Sequence, residues 1–192
     1  MGLDPTWAQL RVARQRGPDH GRHPGDGGGG RPFYVQGAGA GLPFSAEAFD
    51  AVVACLVFEH IAEADAAIAE VARVLAPGGR FVFFLNHPLL QTPGSGWIDD
   101  HILMEQYWRI GPYLVEDTTM EEVAKGVVLP FVHRPLSRYV NAMAANGLLI
   151  TRMEEPEPPP GFLAVAHEYQ DASTIPRLLL LRAEKLAPGS GP

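Results

Sequence analysis

The sequence predicts an α/β fold with parallel strands, and three observations carry that expectation. Phe49-Asp50-Ala51-Val52-Val53-Ala54-Cys55-Leu56-Val57-Phe58 is an apolar run of the kind found in strands buried on both faces of a parallel sheet. Ala66, Ala67, Ile68, Val71, Val74 and Leu75 then recur at helical spacing. Pro77-Gly78-Gly79 stops that helix before Arg80-Phe81-Val82-Phe83-Phe84-Leu85 begins a second buried strand. Strand, helix, glycine turn and strand form a βαβ unit. Its crossover is expected to be right-handed, with ligands gathering at the carboxyl ends of the strands.

The remaining elements follow in chain order. Thr6 can cap a helix that carries Trp7, Leu10 and Ala13 on one face. From Gly17 to Pro32, glycine, proline and histidine break all periodicity, so this run reads as a loop; its Gly27-Gly28-Gly29-Gly30 lacks the strand and helix that frame a phosphate loop. The alternating glycines of Val35-Gln36-Gly37-Ala38-Gly39-Ala40-Gly41-Leu42-Pro43-Phe44 stand behind the short β-rich run Phe33-Tyr34-Val35. They resemble a dinucleotide loop, as a nicotinamide-dependent oxidoreductase would need, but Leu42-Pro43-Phe44 leads into the next strand with no room for the required helix.

Gln91 to Pro130 is rich in aromatics and acids, among them Trp97, Asp99, Tyr107, Trp108, Tyr113 and Asp117. This composition suits a lid or substrate wall inserted between core elements, and equally a solvated connection with some packed aromatics. His133-Arg134-Pro135-Leu136-Ser137 leads into a helix carrying Leu136, Tyr139, Val140 and Met143, closed by Asn146-Gly147. Leu148-Leu149-Ile150 reads as a strand, Glu154 to Pro160 as a loop, and Ile175 to Arg182 as a last strand. Residues 1–187 are expected to make one domain and 188–192 a tail.

Composition narrows the function classes. The 22 acidic against 15 basic residues give a net charge of −7, which argues against nucleic acid or an anionic membrane surface as the partner. Cys55 is the only cysteine, which excludes an internal disulfide and a CxxC zinc site and fits a reducing cytoplasm. The longest apolar run, Ala51 to Phe58, is far short of the roughly 20 residues a spanning helix needs. Met1 to Thr6 meets the loose myristoylation pattern, yet Pro5 makes a strand-to-helix turn the better reading.

Chemistry is then sought at the strand ends, which hold Glu59-His60 and Asn86-His87-Pro88. His87 can face a cleft as an acid or base; it can also be a polar loop residue bonded to the backbone. Glu59 and His60 can simply begin the following helix on its solvated side. Neither pair has metal-ligand spacing.

LPFSAEAFDAVVACLVFEHI, followed by a helix and by RVLAPGGRFVF, resembles the core of class I S-adenosylmethionine-dependent methyltransferases of the small-molecule, ubiquinone-biosynthesis-like type. The resemblance runs from about Gly2 to about Leu90 and more loosely to Arg182, through HRPLSRYVNAMAANGLLITRMEEP. It implies a Rossmann-like, seven-stranded and mostly parallel sheet with helices on both faces, the cofactor S-adenosylmethionine and a small-molecule methyl acceptor. By the same resemblance, Asp4 ends the family's second strand and holds the ribose hydroxyls, while Ala38, Gly39 and Leu56 border the cofactor; a lone acid near a helix start can equally be a helix cap. Ala38 stands where the family usually has an aspartate for the adenine amino group, a loss of about 1 kcal/mol. His87 and His133 are the histidines to test as the base, since the resemblance fixes no catalytic residue.

A glycine loop roughly 20 residues before Asp4 would precede Met1. The expectation is therefore an N-terminally incomplete domain, from a late start site or a truncated copy, with strand edges left open where the family's first strand lies. The rival expectation is a non-catalytic relative acting as a binding or dimerising module, and a homodimer stays open under either.

Overall fold

The computed structural model describes residues 1–16, 32–165, 172–187 and 189. The loop expected between Gly17 and Pro32 and the tail after residue 187 lie almost wholly outside the described residues. Two parallel pairs form the scaffold. Strand β1 (Gly2–Asp4) pairs with β2 (Tyr34–Gln36), and helix α1 (Trp7–Arg16) packs against both. Strand β3 (Phe49–Cys55) pairs with β4 (Leu75–Asn86), with helix α2 (Ala64–Val74) as the crossover. Trp7 is exposed while Leu10 is buried, so only part of the expected α1 face is used.

Two further strands complete a four-stranded sheet of order β3-β4-β10-β9. Strand β9 (Leu148–Glu154) follows helix α3 (Leu136–Ala145), and β10 (Leu178–Lys185) inserts antiparallel between β9 and β4. The α/β class holds and the sheet is mostly parallel: β3, β4 and β9 run in one direction, and β10 alone runs back between its two neighbours, a direction that its apolar pattern leaves unspecified. No backbone ladder joins β1–β2 to β3 among the described residues.

The core lies on one face of this sheet. Phe81, Phe83 and Leu85 on β4 and Leu179, Leu181 and Ala183 on β10 point to the same side in register, where α2 and α3 supply Ala67, Ile68, Val71, Tyr139 and Met143. Phe58 meets Phe83 edge-on at 4.8 Å, and Tyr139 lies 5.2 Å from Phe83. The expectation of β3 buried on both faces is corrected: Ala54 is buried, whereas Val53 is 67% exposed and Cys55 is exposed. Both described helices that cover the sheet sit on the opposite face from Val53, and β3 is an edge strand. A run of apolar residues cannot disclose either condition.

Pro77-Gly78-Gly79 does make the expected turn, but as an irregularity inside β4. The register with β3 jumps from Leu75 opposite Phe49 to Arg80 opposite Ala51. Gly78 has φ +75°, and a Cβ on Gly79 would lie 2.7 Å from the Ala76 carbonyl oxygen, so both positions need glycine.

The insertion expected between Gln91 and Pro130 is two β-hairpins. Strands β5 (Gly96–Asp100) and β6 (Glu105–Arg109) form one, with Trp97 edge-on to Trp108. Strands β7 (Asp117–Ala124) and β8 (Val127–His133) form the other. Cross-strand pairing puts Phe131 and His133 on one face of β8, and both are buried against the turn that follows β3. Helix α4 (Pro160–Val165) follows the proline-rich loop.

Candidate functional site

Asp4, at the carboxyl end of β1, sits opposite Gln36 at the end of β2. Its Oδ1 accepts the Thr6 N–H at 2.6 Å, which turns the chain into α1; Oδ2 has no hydrogen bond among the described residues. The Gly37 N–H donates to the Asp4 carbonyl at 3.2 Å, and Gln36 Nε2 donates to the Pro5 carbonyl, so the loop after β2 is tied to the end of β1. Ala38 and Gly41 close a tight turn by a bridge. A Cβ on Gly39 would come within 2.9 Å of Ile61 Cδ1, so this loop packs directly on the segment that follows β3. Leu56 heads that segment with φ +50° and its side chain 41% exposed, while its N–H donates to the Phe84 carbonyl. Asp4, Ala38, Gly39 and Leu56 thus stand at ends of β1, β2 and β3, and the loop with Gly39 abuts the segment begun by Leu56.

A clamp that the sequence did not reveal holds the loop in place. Glu70 on α2 accepts the Leu42 N–H at 2.7 Å and the Arg73 guanidinium at 2.6 Å, while Arg73 donates to the carbonyls of Phe44 and Leu42. The Arg73 hydrogen bond holds the Glu70 carboxyl below its usual range, against a smaller opposing effect of burial. The same bond raises the Arg73 guanidinium. Glu70 and Arg73 lie one helical turn apart, a spacing that on sequence alone is a solvated surface pair.

Beyond the carboxyl ends of β3 and β4 lies a small cavity of about 10 Å³ with a mixed lining, apolar from Leu85, Phe131 and Val132 and polar from Glu59, Asn86 and His133. It has room for about one water-sized group. Glu59 is 3% exposed in the 3₁₀ turn Phe58–His60, which corrects its placement on a solvated helix start. Its Oε1 accepts both the Asn86 backbone N–H at 2.7 Å and the Asn86 side-chain amide at 3.0 Å, whereas Oε2 is buried without a partner. Arg134 is 4% exposed and donates to the carbonyls of Phe58, Ile61 and Ala62 at 3.4, 2.8 and 2.7 Å. The guanidinium therefore wraps the turn that carries Glu59. Burial raises the Tyr139 phenol above its usual range, Arg134 pulls it back, and the Glu59 and Glu116 charges push it up again.

The two histidines differ in what their nitrogens do. His87 is buried at the end of β4; its Nε2 lies 2.9 Å from Glu155 Oε1, and its Nδ1 accepts the Leu89 N–H at 3.2 Å. Both nitrogens are engaged, so the ring clips the end of β4 to the loop after β9. His133 Nε2 lies 2.8 Å from the Tyr113 carbonyl oxygen, and its Nδ1 is buried without a partner. A carbonyl can only accept, so it is Nε2 that carries the hydrogen in this contact. His60 is bonded through Nδ1 to the Pro130 carbonyl and lies edge-on to Phe131. Of the two histidines singled out as bases, His133 lines the cavity and keeps a buried nitrogen without a partner among the described residues. Glu59 and Arg134 become visible as site residues only through burial. Among the described residues no cluster of acids, histidines and cysteine could hold a metal, and no helix is long and apolar enough to cross a membrane.

Residues 1–83 match the family model described as a methyltransferase domain. A ubiquinone/menaquinone biosynthesis C-methyltransferase of Methylobacterium nodulans is 34% identical over 112 residues, 58% of this chain and 40% of that protein. The chain thus spans well under half the length of this curated relative. An S-adenosylmethionine-dependent methyltransferase of Mesorhizobium loti superposes with TM-score 0.75 at 28% identity, over 96% of this chain and 79% of that one. A candidate S-adenosylmethionine-dependent methyltransferase of Listeria monocytogenes gives 0.74 at 25% identity, over 97% and 79%.

Proposed function

We propose that this chain is a class I S-adenosylmethionine-dependent methyltransferase that transfers a methyl group from S-adenosylmethionine to a small-molecule acceptor. The observation that carries this reading is the meeting of Asp4, the Gly37–Gly41 loop and the segment begun by Leu56 at the ends of β1, β2 and β3. These residues fit the nucleoside half of the cofactor. Asp4 Oδ2 is free to accept from ribose hydroxyls, the close-packed backbone at Ala38 and Gly39 can border the adenine, and the exposed Leu56 side chain offers an apolar wall. Asp4 Oδ1 already fixes the carboxylate's orientation, so little freedom remains to be lost on binding.

When bound, the cofactor supplies a methyl group on a positively charged sulfur. What the chain contributes is mainly alignment, which can be worth roughly 7–11 kcal/mol. Of the two histidines, His133 is the one we assign as base, because His87 has both nitrogens in use. Calorimetric titration of S-adenosylhomocysteine into the protein tests the reading. We expect micromolar binding that Asp4→Ala weakens about tenfold, the cost of one charge-assisted hydrogen-bonding group. No heat at millimolar ligand from a folded protein would refute it.

A further inference from the structure

The turn after β2 cannot hold itself. From Gly37 to Gly41 its side chains are glycine and alanine alone, with no polar group to bond, and three of the five residues are glycines, which lose the most conformational freedom when fixed. Its internal tie is the Gly41 N–H to the Ala38 carbonyl at 3.2 Å. Order must therefore be imposed at the two ends. At the entry, the Gly37 N–H donates to the Asp4 carbonyl at 3.2 Å and Gln36 Nε2 to the Pro5 carbonyl at 2.9 Å, which ties the turn to the strand end that carries Asp4. At the exit, Glu70 Oε2 accepts the Leu42 N–H at 2.7 Å, and Arg73 donates to the carbonyls of Leu42 at 3.0 Å and Phe44 at 2.8 Å.

Glu70 and Arg73 are joined to each other by two bonds, Arg73 Nε to Oε1 at 2.6 Å and Arg73 Nη2 to Oε2 at 2.8 Å. A partly exposed ion pair by itself is worth little, but this one is a bidentate fork that also bonds three backbone groups of one loop. The Arg73 carbonyl further accepts the Glu47 N–H at 3.0 Å, so the last turn of α2 grips the same connection a second time. We propose that Glu70 and Arg73 are positioning residues: they hold the Ala38–Gly41 turn in one conformation and thereby set the affinity for the nucleoside half of the cofactor. The second half of this rests on the methyl-transfer reading above. Affinity scales with the fraction of time the turn is in place, so a turn in place about a tenth of the time binds about tenfold more weakly.

The test is calorimetric titration of S-adenosylhomocysteine and of adenosine, with amide hydrogen exchange at Gly41, in the natural protein, Glu70→Ala and Arg73→Met. Both side chains are partly exposed, so their removal leaves the core intact. Each variant should weaken both ligands by the same factor, about tenfold, and speed exchange at Gly41 about tenfold or more. Arg73→Lys, which keeps the charge but not the fork, should recover part of the affinity, and the double variant should lose no more than the worse single one. Leu148→Ala separates positioning from stability, because Leu148 is buried in β9 at the opposite edge of the sheet from β3. It should lower the unfolding midpoint and leave both affinities as they are; if it weakens the ligands as much as the clamp variants do, the effect is one of stability and the proposal is overturned. If the natural protein binds S-adenosylhomocysteine and the clamp variants bind it within about twofold, the proposal is overturned while the methyl-transfer reading stands. If the natural protein binds neither ligand, that reading falls, and exchange at Gly41 decides whether the clamp holds the turn: faster exchange in the variants supports it, unchanged exchange overturns it.

Discussion

Replacing Arg134 with methionine removes the guanidinium that organises the turn carrying Glu59, at nearly the same side-chain length. Two of its hydrogen bonds are well formed, to the carbonyls of Ile61 at 2.8 Å and Ala62 at 2.7 Å, and a longer one reaches Phe58 at 3.4 Å. A hydrogen bond to a charged group is worth about 1.5–3 kcal/mol, so the two short ones set a gross loss of roughly 3–6 kcal/mol. Part of this is recovered, because burying a guanidinium itself costs several kcal/mol. The expected net destabilisation is about 2–4 kcal/mol. Urea unfolding followed by circular dichroism measures it: with a slope of about 2 kcal/mol per molar, the midpoint should fall by about 1–2 M without a change of slope. Arg134→Lys, which keeps the charge but not the fork of donors, should lie between the two. A midpoint moved by less than about 0.3 M would show that the carbonyls hydrate freely and that Arg134 does not hold the turn.

Phe83 is fully buried and packs against Phe58, Phe81 and Tyr139 at 4.8, 5.5 and 5.2 Å, so Phe83→Ala should cost about 3–5 kcal/mol in the same assay; a loss below about 1 kcal/mol would contradict this packing. Glu70 predicts a pH dependence. Its carboxyl is held low in the fold, chiefly by the Arg73 hydrogen bond, so its contribution is present above the unfolded carboxyl value of about 4.3 and is lost as pH falls through the lower folded value. The stability gap between the natural protein and Glu70→Gln should therefore be constant near neutrality and narrow in acid below about pH 4; a gap that widens there would reverse the assignment.

Burial separates what the sequence discloses from what it does not at the strand ends. Glu59 and Glu70 are both acids beside apolar helical positions, and nothing local distinguishes them. One is sealed under β8 with an unpartnered oxygen, and the other clamps the Leu42–Phe44 loop from the surface of α2. His87 and His133 are each followed closely by proline, yet a carboxylate 68 residues away engages one ring, while the other keeps a nitrogen without a partner among the described residues.

By itself, the sequence determined the βαβ unit, the glycine turn before Arg80, the helix over Leu136–Ala145 closed by Asn146-Gly147, and the methyltransferase resemblance. These are local: periodicity, capping and turn chemistry are written within a dozen residues. Tertiary structure decided the antiparallel insertion of β10, the exposure of Val53, and the meeting of Glu59 with His133 around one cavity. Each depends on which surface arrives from a distant segment. A single strand's pattern fixes which side chains share a face, and only the assembled sheet fixes what covers that face.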